Sequence, residues 1–146
     1  MYSLFVDTSS LVKFYYPEID SDKVEGILLQ SDCVYISNLT IVEMASAFSK
    51  KTRTGELEKE MEAVLWNTFL DDLQTGQMEA VPLDDRHYFK AADLIRRFGG
   101  KYGIKTLDSL QLSIAHSLQG SEFLCSDNTL SKVASKMGIK LASLPG

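Results

Sequence analysis

The sequence is poor in several features that would place it in particular classes of protein. Cys33 and Cys125 are its only cysteines, and each falls in an apparent strand. Such a pair forms neither a disulfide framework nor the spacing of a zinc site, and it suits a reducing cytoplasm. No apolar run approaches the length of a membrane span. Because an apparent strand begins almost at the first residue, we expect no cleavable signal peptide.

Basic residues are outnumbered, and the common nucleotide-binding loops are missing. The chain has 15 Lys and Arg residues against 20 Asp and Glu residues, which gives a formal net charge of -5. This balance argues against binding nucleic acid through bulk charge, but it leaves room for local basic contacts around an acidic metal site. Neither a Walker loop nor a GxGxxG motif occurs, so a nucleotide cofactor has no support.

What the chain does contain is typical of one globular domain over residues 1–146. It is long enough to bury most of the surface that its unfolded form exposes, and 45% of its residues are apolar and 24% charged. Short apolar segments alternate with segments of helical periodicity. This alternation predicts an α/β fold, a three-layer α/β/α sandwich with a mainly parallel central sheet of four to five strands.

The predicted elements follow from periodicity, capping residues and chain breakers. Strands are expected at Leu4–Val6, Cys33–Ile36, Met78–Val81, Glu122–Ser126 and, as a short fifth strand, within Ile139–Leu144. Helices are expected at Leu11–Tyr16, Ser21–Gln30, Asn38–Lys51, Leu57–Gln74, Asp84–Phe98, Thr106–Leu118 and Asn128–Gly138. Gly99 and Gly100 are expected to make the loop after Phe98 flexible.

Four acidic residues fall at the carboxyl edge of the predicted sheet, where ligands bind in open α/β folds. Asp7 and Asp127 follow the first and fourth strands, and Glu43 and Asp108 lie early in helices that begin at that edge. The two strand-end acids can equally cap the next helix, and Asp108 can interact with a helix dipole. Glu43 differs because its neighbours are almost all apolar, and glutamate is almost never fully buried without a partner.

Taken together, the four acids predict a cation site. No Lys, Arg or His is close in sequence to Asp7, Glu43 or Asp127, and Lys105 is the basic residue nearest Asp108. Carboxylates that converge without cationic partners repel one another strongly at low effective dielectric. A divalent cation removes that repulsion, and hard oxygen ligands select Mg²⁺ or Mn²⁺.

At these acids the sequence resembles the PIN-domain nucleases, and among them the VapC-type toxins of type II toxin–antitoxin pairs. The resemblance rests on four segments in order, which are Phe5–Lys13, Ile36–Glu43, Thr106–Ala115 and Phe123–Leu130. It implies the strand order 3-2-1-4-5 within the α/β/α sandwich. It also implies cleavage of RNA phosphodiester bonds with Mg²⁺ or Mn²⁺ as cofactor.

The resemblance assigns roles to individual residues. The family's catalytic and metal-binding acids correspond to Asp7, Glu43, Asp108 and Asp127. The family's hydroxyl after the first acid corresponds to Ser9, with Thr8 beside it. The implied chemistry is in-line attack on phosphorus by a metal-bound water, which Glu43 or Asp127 would orient.

The resemblance further implies a homodimer and a small antitoxin partner. Both contacts are expected near the Leu11–Tyr16 helix and the helical hairpin of Leu39–Gln74. The run Phe14–Tyr16 is too rich in aromatic side chains to be buried entirely, and this favours an interface there.

Basic residues could supply RNA contacts, or they could form solvated helix faces. Five of them run along the fifth predicted helix and the loop after it, toward Asp108. They are Arg86, Lys90, Arg97, Lys101 and Lys105. A phosphate track of this kind is a hypothesis from the charge pattern. The smaller cluster of Lys50, Lys51 and Arg53 has the same two interpretations.

Three other functions stay open at this level. An RNA-processing PIN nuclease without an antitoxin would carry the same acids, and so would a non-catalytic metal-binding interaction module. Acidic-pocket phosphoryl-transfer proteins, such as receiver or haloacid-dehalogenase-like domains, form the third class. Against the dehalogenase-like class, Ser9 stands two residues after Asp7, where a second aspartate would be expected.

Overall fold

The chain folds into a parallel sheet with helices on both faces. In this computed structural model, which describes residues 1–143, the strands are β1 (Ser3–Val6), β2 (Cys33–Ser37), β3 (Glu79–Val81) and β4 (Ser121–Leu124). The helices are α1 (Thr8–Tyr15), α2 (Ser21–Gln30), α3 (Asn38–Arg53), α4 (Lys59–Gln74), α5 (Asp85–Tyr102), α6 (Thr106–Ser117) and α7 (Asn128–Lys136). The first four predicted strands and all the predicted helices are present, with shifted ends.

The strands lie in the order β3-β2-β1-β4, and every pairing between them is parallel. In the register, Phe5 lies opposite Tyr35 on one side and Phe123 on the other. All strands therefore end at one edge, which confirms the predicted fold class and order. The predicted fifth strand is shorter than expected: among the described residues only Leu141 bridges to Phe123, and Leu144 lies outside them.

Alternation along the strands divides the core into two clusters, one on each face of the sheet. Leu4 and Val6 of β1 pack with buried side chains of α1, α2, α3 and α4. Phe5, which points the other way, packs with buried side chains of α5, α6 and α7. The sheet is therefore the middle layer of three, and its carboxyl edge is where helices from both outer layers meet.

The expectation of a flexible loop after Phe98 is wrong. Helix α5 continues through Gly99 and Gly100 to Tyr102. Phe98 and Tyr102 are one turn apart, and both pack against the core cluster that contains Phe5, on the face of the sheet covered by α5, α6 and α7. Their burial outweighs the roughly 1 kcal/mol that each glycine costs inside a helix. The helix then ends at Gly103, whose φ of 67° is in the left-handed region.

Two further observations concern the cysteines and the helices. Cys125 lies beyond the end of β4, so its predicted place inside a strand is wrong, whereas Cys33 does begin β2. Both are free thiols. Within residues 1–143, none of the helices combines the length and the apolar character that crossing a membrane requires.

Candidate functional site

A cleft of about 520 Å³ opens at the edge of the sheet where the strands end. All four of the predicted acids line this cleft. Asp7 directly follows β1, Glu43 lies in the second turn of α3, Asp108 is in the first turn of α6, and Asp127 is the N-cap of α7. The fold thus brings together four side chains that come from four separate parts of the sequence.

Asp7 and Asp127 are positioned because each caps a helix. Asp7 Oδ2 accepts hydrogen bonds from the backbone N–H of Ser9 at 3.2 Å and from its hydroxyl at 2.6 Å. Asp127 Oδ1 accepts from the backbone N–H of Leu130 at 2.9 Å. The sequence predicted that Asp127 directly follows the fourth strand. In the structure β4 ends earlier, and residues 125 and 126 separate it from Asp127.

Asp108 is held by the turn that precedes its helix. Its Oδ2 accepts a hydrogen bond from the backbone N–H of Lys105 at 3.0 Å. In Asp108, as in Asp7 and Asp127, one carboxylate oxygen accepts hydrogen bonds. The other oxygen of each acid has no hydrogen-bond partner within residues 1–143. Capping therefore leaves one oxygen of each of these acids without a partner among the described residues.

Glu43 is held by side chains that are distant in the sequence. Its Oε1 accepts hydrogen bonds from the hydroxyl of Thr8 at 2.8 Å and from the amide nitrogen of Gln111 at 2.7 Å. The same amide nitrogen donates to the hydroxyl of Thr40 at 2.9 Å. These contacts join α1, α3 and α6, so they connect the two outer layers beyond the end of the sheet.

Asp7 is the most buried of the acids, with only 6% of its surface exposed. The pKa of its carboxyl is raised to about 6, chiefly by burial and also by the nearby charges of Glu43 and Asp108, against the hydrogen bonds from Ser9, which lower it. The structure therefore places a carboxylate where its negative charge is unfavourable unless a cation is close.

The donor set fits a hard divalent cation. None of the four acids forms an ion pair among the described residues, and all four line one cleft. Within residues 1–143, however, no three acidic, cysteine or histidine side chains stand close enough to hold a metal together. Among the described residues no ion pair neutralises these carboxylates, so a bound cation would relieve their mutual repulsion.

Comparison with models of known protein families identifies the family of this chain. The family model described as PIN domain matches residues 4–136. The chain belongs to the PIN domain family. This confirms the resemblance of the four motif segments, and it places the protein among nucleases that generally depend on a divalent metal. No curated protein sequence gives a significant match.

Two solved structures share this PIN fold. The crystal structure of FitAcB from Neisseria gonorrhoeae superposes with a TM-score of 0.67 and 15% identity, covering 96% of both chains. The crystal structure of PAE2754 from Pyrobaculum aerophilum gives a TM-score of 0.60 and 17% identity, covering 94% of this chain and 90% of that one. At such identities the likeness concerns the fold alone.

The predicted track of basic residues on α5 does not line the acidic cleft of this PIN domain. Arg86 pairs with Asp84 at 3.0 Å, and Arg97 approaches Asp93 at 3.8 Å. Arg86 and Lys90 line a different cavity, of about 420 Å³. Arg86 and Arg97 are therefore engaged by neighbouring acids, and Arg86 and Lys90 lie at a separate depression.

Lys50 is the one basic side chain that lines the acidic cleft in the described part of the chain. It stands seven residues after Glu43, two turns along the same face of α3. Of the remaining predicted contacts, Lys101 lies over the ring of Tyr102 at the end of α5, and Lys105 immediately precedes α6. Both are exposed.

Three residues near the acids were missed from the sequence. Gln111 and Thr40 complete the hydrogen bonds around Glu43, and the thiol of Cys125 lies 3.7 Å from Asp7 Oδ2. Burial raises the pKa of this thiol to about 12. The available signal was a polar residue at an otherwise apolar position of α6, since Gln111 stands between leucines.

Proposed function

We propose that this PIN domain is a ribonuclease that depends on Mg²⁺ or Mn²⁺ and hydrolyses RNA phosphodiester bonds. The observation that carries the proposal is the convergence of four carboxylates from four elements on one cleft, without a cationic partner among residues 1–143. A cation site of oxygen ligands at a sheet's carboxyl edge suits phosphoryl chemistry, in which charge on the phosphate must be neutralised.

In the proposed site the four acids would hold the cation. Bound there, a divalent metal would supply a coordinated water of lowered pKa and would offset charge on the phosphate oxygens. The chain's own part is to fix the ligands: Ser9 holds one oxygen of Asp7, and Thr8 holds one oxygen of Glu43. Either Glu43 or Asp127 then orients the attacking water.

We assign the first phosphate contact to Lys50. Its ammonium is exposed, has no ion-pair partner among residues 1–143, and lines the cleft beside the acids. Its neighbour Lys51 is engaged differently, with Glu18 at 3.4 Å and Glu56 at 3.6 Å. The α5 residues and Lys105 stay predicted contacts for more distant parts of the RNA.

We also propose that the protein is the toxin of a toxin–antitoxin pair and forms a homodimer. The four motif segments that resemble VapC-type toxins support the first part. For the second, Phe14 and Leu29 are exposed at a groove of about 370 Å³ between α1, α2 and the end of α4. Tyr15, in contrast, is buried and donates to Asp72 at 2.6 Å, so only part of the aromatic run is available.

We further propose that residues 1–146 act as one PIN domain in the cytoplasm. The two free cysteines support that location, because a reducing compartment keeps thiols unpaired. Light scattering at micromolar concentration tests the homodimer, and a monomer mass would contradict it. Co-purification with the product of a short neighbouring reading frame tests the antitoxin.

Single-turnover cleavage of end-labelled RNA tests the proposed activity. We expect cleavage in Mg²⁺ and in Mn²⁺, none in chelator, and none for Asp108→Asn. The matched control is Asp93→Asn, which changes an exposed acid of α5 outside the cleft and should cut at the wild-type rate. Undiminished cleavage in chelator would contradict the metal requirement, and metal binding without any cleavage would favour the non-catalytic module.

The substrate contact has its own test. Lys50→Gln should weaken RNA binding several-fold and lower the salt dependence of binding by about one phosphate contact. Lys59→Gln is the control, because Lys59 is exposed at the start of α4 and does not line the cleft. Equal effects of the two substitutions would show that general charge, rather than a specific contact, is measured.

A further inference from the structure

We propose that Gln111 is a positioning residue that fixes Glu43 so that only one carboxylate oxygen, Oε2, faces the cation or the attacking water. This inference rests on the proposed function of the cleft. Gln111 does not line the cleft and is 1% exposed, so it acts through Glu43 and not on the substrate.

The acceptors around Gln111 determine the orientation of its amide group. The amide nitrogen donates to Glu43 Oε1 at 2.7 Å and to the hydroxyl of Thr40 at 2.9 Å, and the hydroxyl of Thr8 is more distant at 3.5 Å, so the two short contacts use both of its protons. The opposite orientation of the amide would place an oxygen 2.7 Å from the carboxylate, where two acceptors repel. The nitrogen therefore faces Glu43 because that is the orientation that the carboxylate accepts.

The amide oxygen of Gln111 shows that this residue is not there to complete the core. Oε1 is buried and has no hydrogen-bond partner within residues 1–143. Leaving a buried acceptor unpaired is unfavourable, and an apolar side chain would avoid it. Leu110 and Leu112, its two neighbours on α6, are such side chains. We infer that the donor group of Gln111 is what this position requires.

Two donors acting on one oxygen restrict what Glu43 can offer. Thr8 and Gln111 both donate to Oε1, at 2.8 and 2.7 Å. Oε2 has no hydrogen-bond partner among the described residues. Because Glu43 lines the cleft, Oε2 is the oxygen left to act there. Since Thr8 is in α1 and Gln111 in α6, a change in either helix would turn the carboxylate and alter its ligand oxygen.

Calorimetric titration of the metal-free protein with Mn²⁺ tests the inference without RNA. We expect Gln111→Met, which keeps the length of the side chain and removes the donor, to weaken Mn²⁺ binding by roughly 10-fold, the effect typical of outer-shell partners of a metal ligand. Ser113→Ala is the matched control: it removes a buried hydroxyl of the same helix, which donates only to the Leu110 carbonyl, and should change the affinity less than about twofold.

A double-substitution cycle separates positioning from general damage. If Gln111 acts through Glu43, adding Gln111→Met to Glu43→Gln should produce no further loss of Mn²⁺ affinity. A second loss as large as the first would overturn the inference, and so would wild-type affinity in Gln111→Met alone. If Gln111→Met fails to fold, Gln111→Leu serves instead, since it also removes the donor and adds no charge beside Glu43.

Cleavage kinetics keep this inference distinct from the proposed function. In a functional nuclease, Gln111→Met should lower kcat by roughly 10-fold and leave KM for RNA unchanged, because the residue is buried away from the substrate. A rise in KM with kcat unchanged would overturn positioning and leave the nuclease intact. Wild-type protein that binds Mn²⁺ through Glu43 but cuts no RNA would instead defeat the nuclease and leave the positioning role supported.

Discussion

Asp7 and Asp127 have the same local role and very different surroundings. Each comes after a strand and caps the next helix with one carboxylate oxygen. Asp7 extends β1, which lies between β2 and β4, and 6% of it is exposed. Asp127 follows β4 at the end of the strand order and is exposed.

Two acids that cap helices in the same way can therefore have carboxyl groups in very different electrostatic environments. Burial, with a smaller contribution from the charges of Glu43 and Asp108, raises the pKa of the Asp7 carboxyl to about 6. Asp127 lines the same cleft but is exposed, so solvent screens its charge. We therefore expect the buried acid to dominate both metal binding and pH dependence, and the following predictions test that ranking.

The largest expected difference is in catalysis. Asp7→Asn should reduce the single-turnover rate of RNA cleavage in Mg²⁺ by at least about 10³-fold, the scale of losing a group that stabilises transition-state charge. Asp127→Asn should reduce it by roughly 10-fold, because an exposed ligand or water-orienting group is partly replaced by solvent. Equal losses for the two variants would break the comparison, and a wild-type rate for Asp7→Asn would remove it from the site.

The second prediction concerns pH and metal-free stability. The folded protein keeps a proton on Asp7 up to a pKa of about 6, whereas the unfolded chain loses it near 3.8. The free energy of unfolding should therefore fall as pH rises from about 4 to about 6, by up to about 3 kcal/mol from this group. Urea unfolding in chelator measures it. Asp7→Asn should remove that fall, whereas Asp127→Asn should retain it.

A smaller effect is expected from the cation. Mg²⁺ at ten times its dissociation constant should raise the free energy of unfolding by about 1.4 kcal/mol, or the melting temperature by roughly 3–6 °C. Asp108→Asn should melt at or above wild type in chelator, because a repulsive charge is gone and the asparagine oxygen can still accept from Lys105. It should also lose much of the Mg²⁺-induced rise. Four thermal melts decide, and an unchanged rise in the variant would argue against Asp108 as a ligand.

The smallest effect separates capping from ligation at Asp127. Asp127→Ala removes the acceptor for the Leu130 N–H and should lower the free energy of unfolding by about 1 kcal/mol in chelator. Asp127→Asn retains an acceptor and should melt close to wild type under the same conditions. If both variants melt alike, the cap contributes nothing measurable and the acid is there for the cleft alone.

Sequence reasoning succeeded where a single local rule applies. The four acids at strand ends and helix starts were found because parallel strands end at one edge, and strand order followed from the family motifs. It failed at Gly99 and Gly100, where a local preference for loops lost to the packing of Phe98 and Tyr102. The RNA track on α5 stays a prediction, although the charge pattern did not reveal that Arg86 and Arg97 have acidic neighbours.

The sequence by itself determined the alternation of strands and helices and the identity of the acids, because each depends on residues a few positions apart. Only the tertiary structure decided which acid is buried, which lysine reaches the cleft, and that Glu43 is held by Thr8 and Gln111. Those outcomes depend on side chains from different helices meeting beyond the sheet's edge. No periodicity within one segment encodes such a meeting, which the parallel register and the packing of both layers bring about.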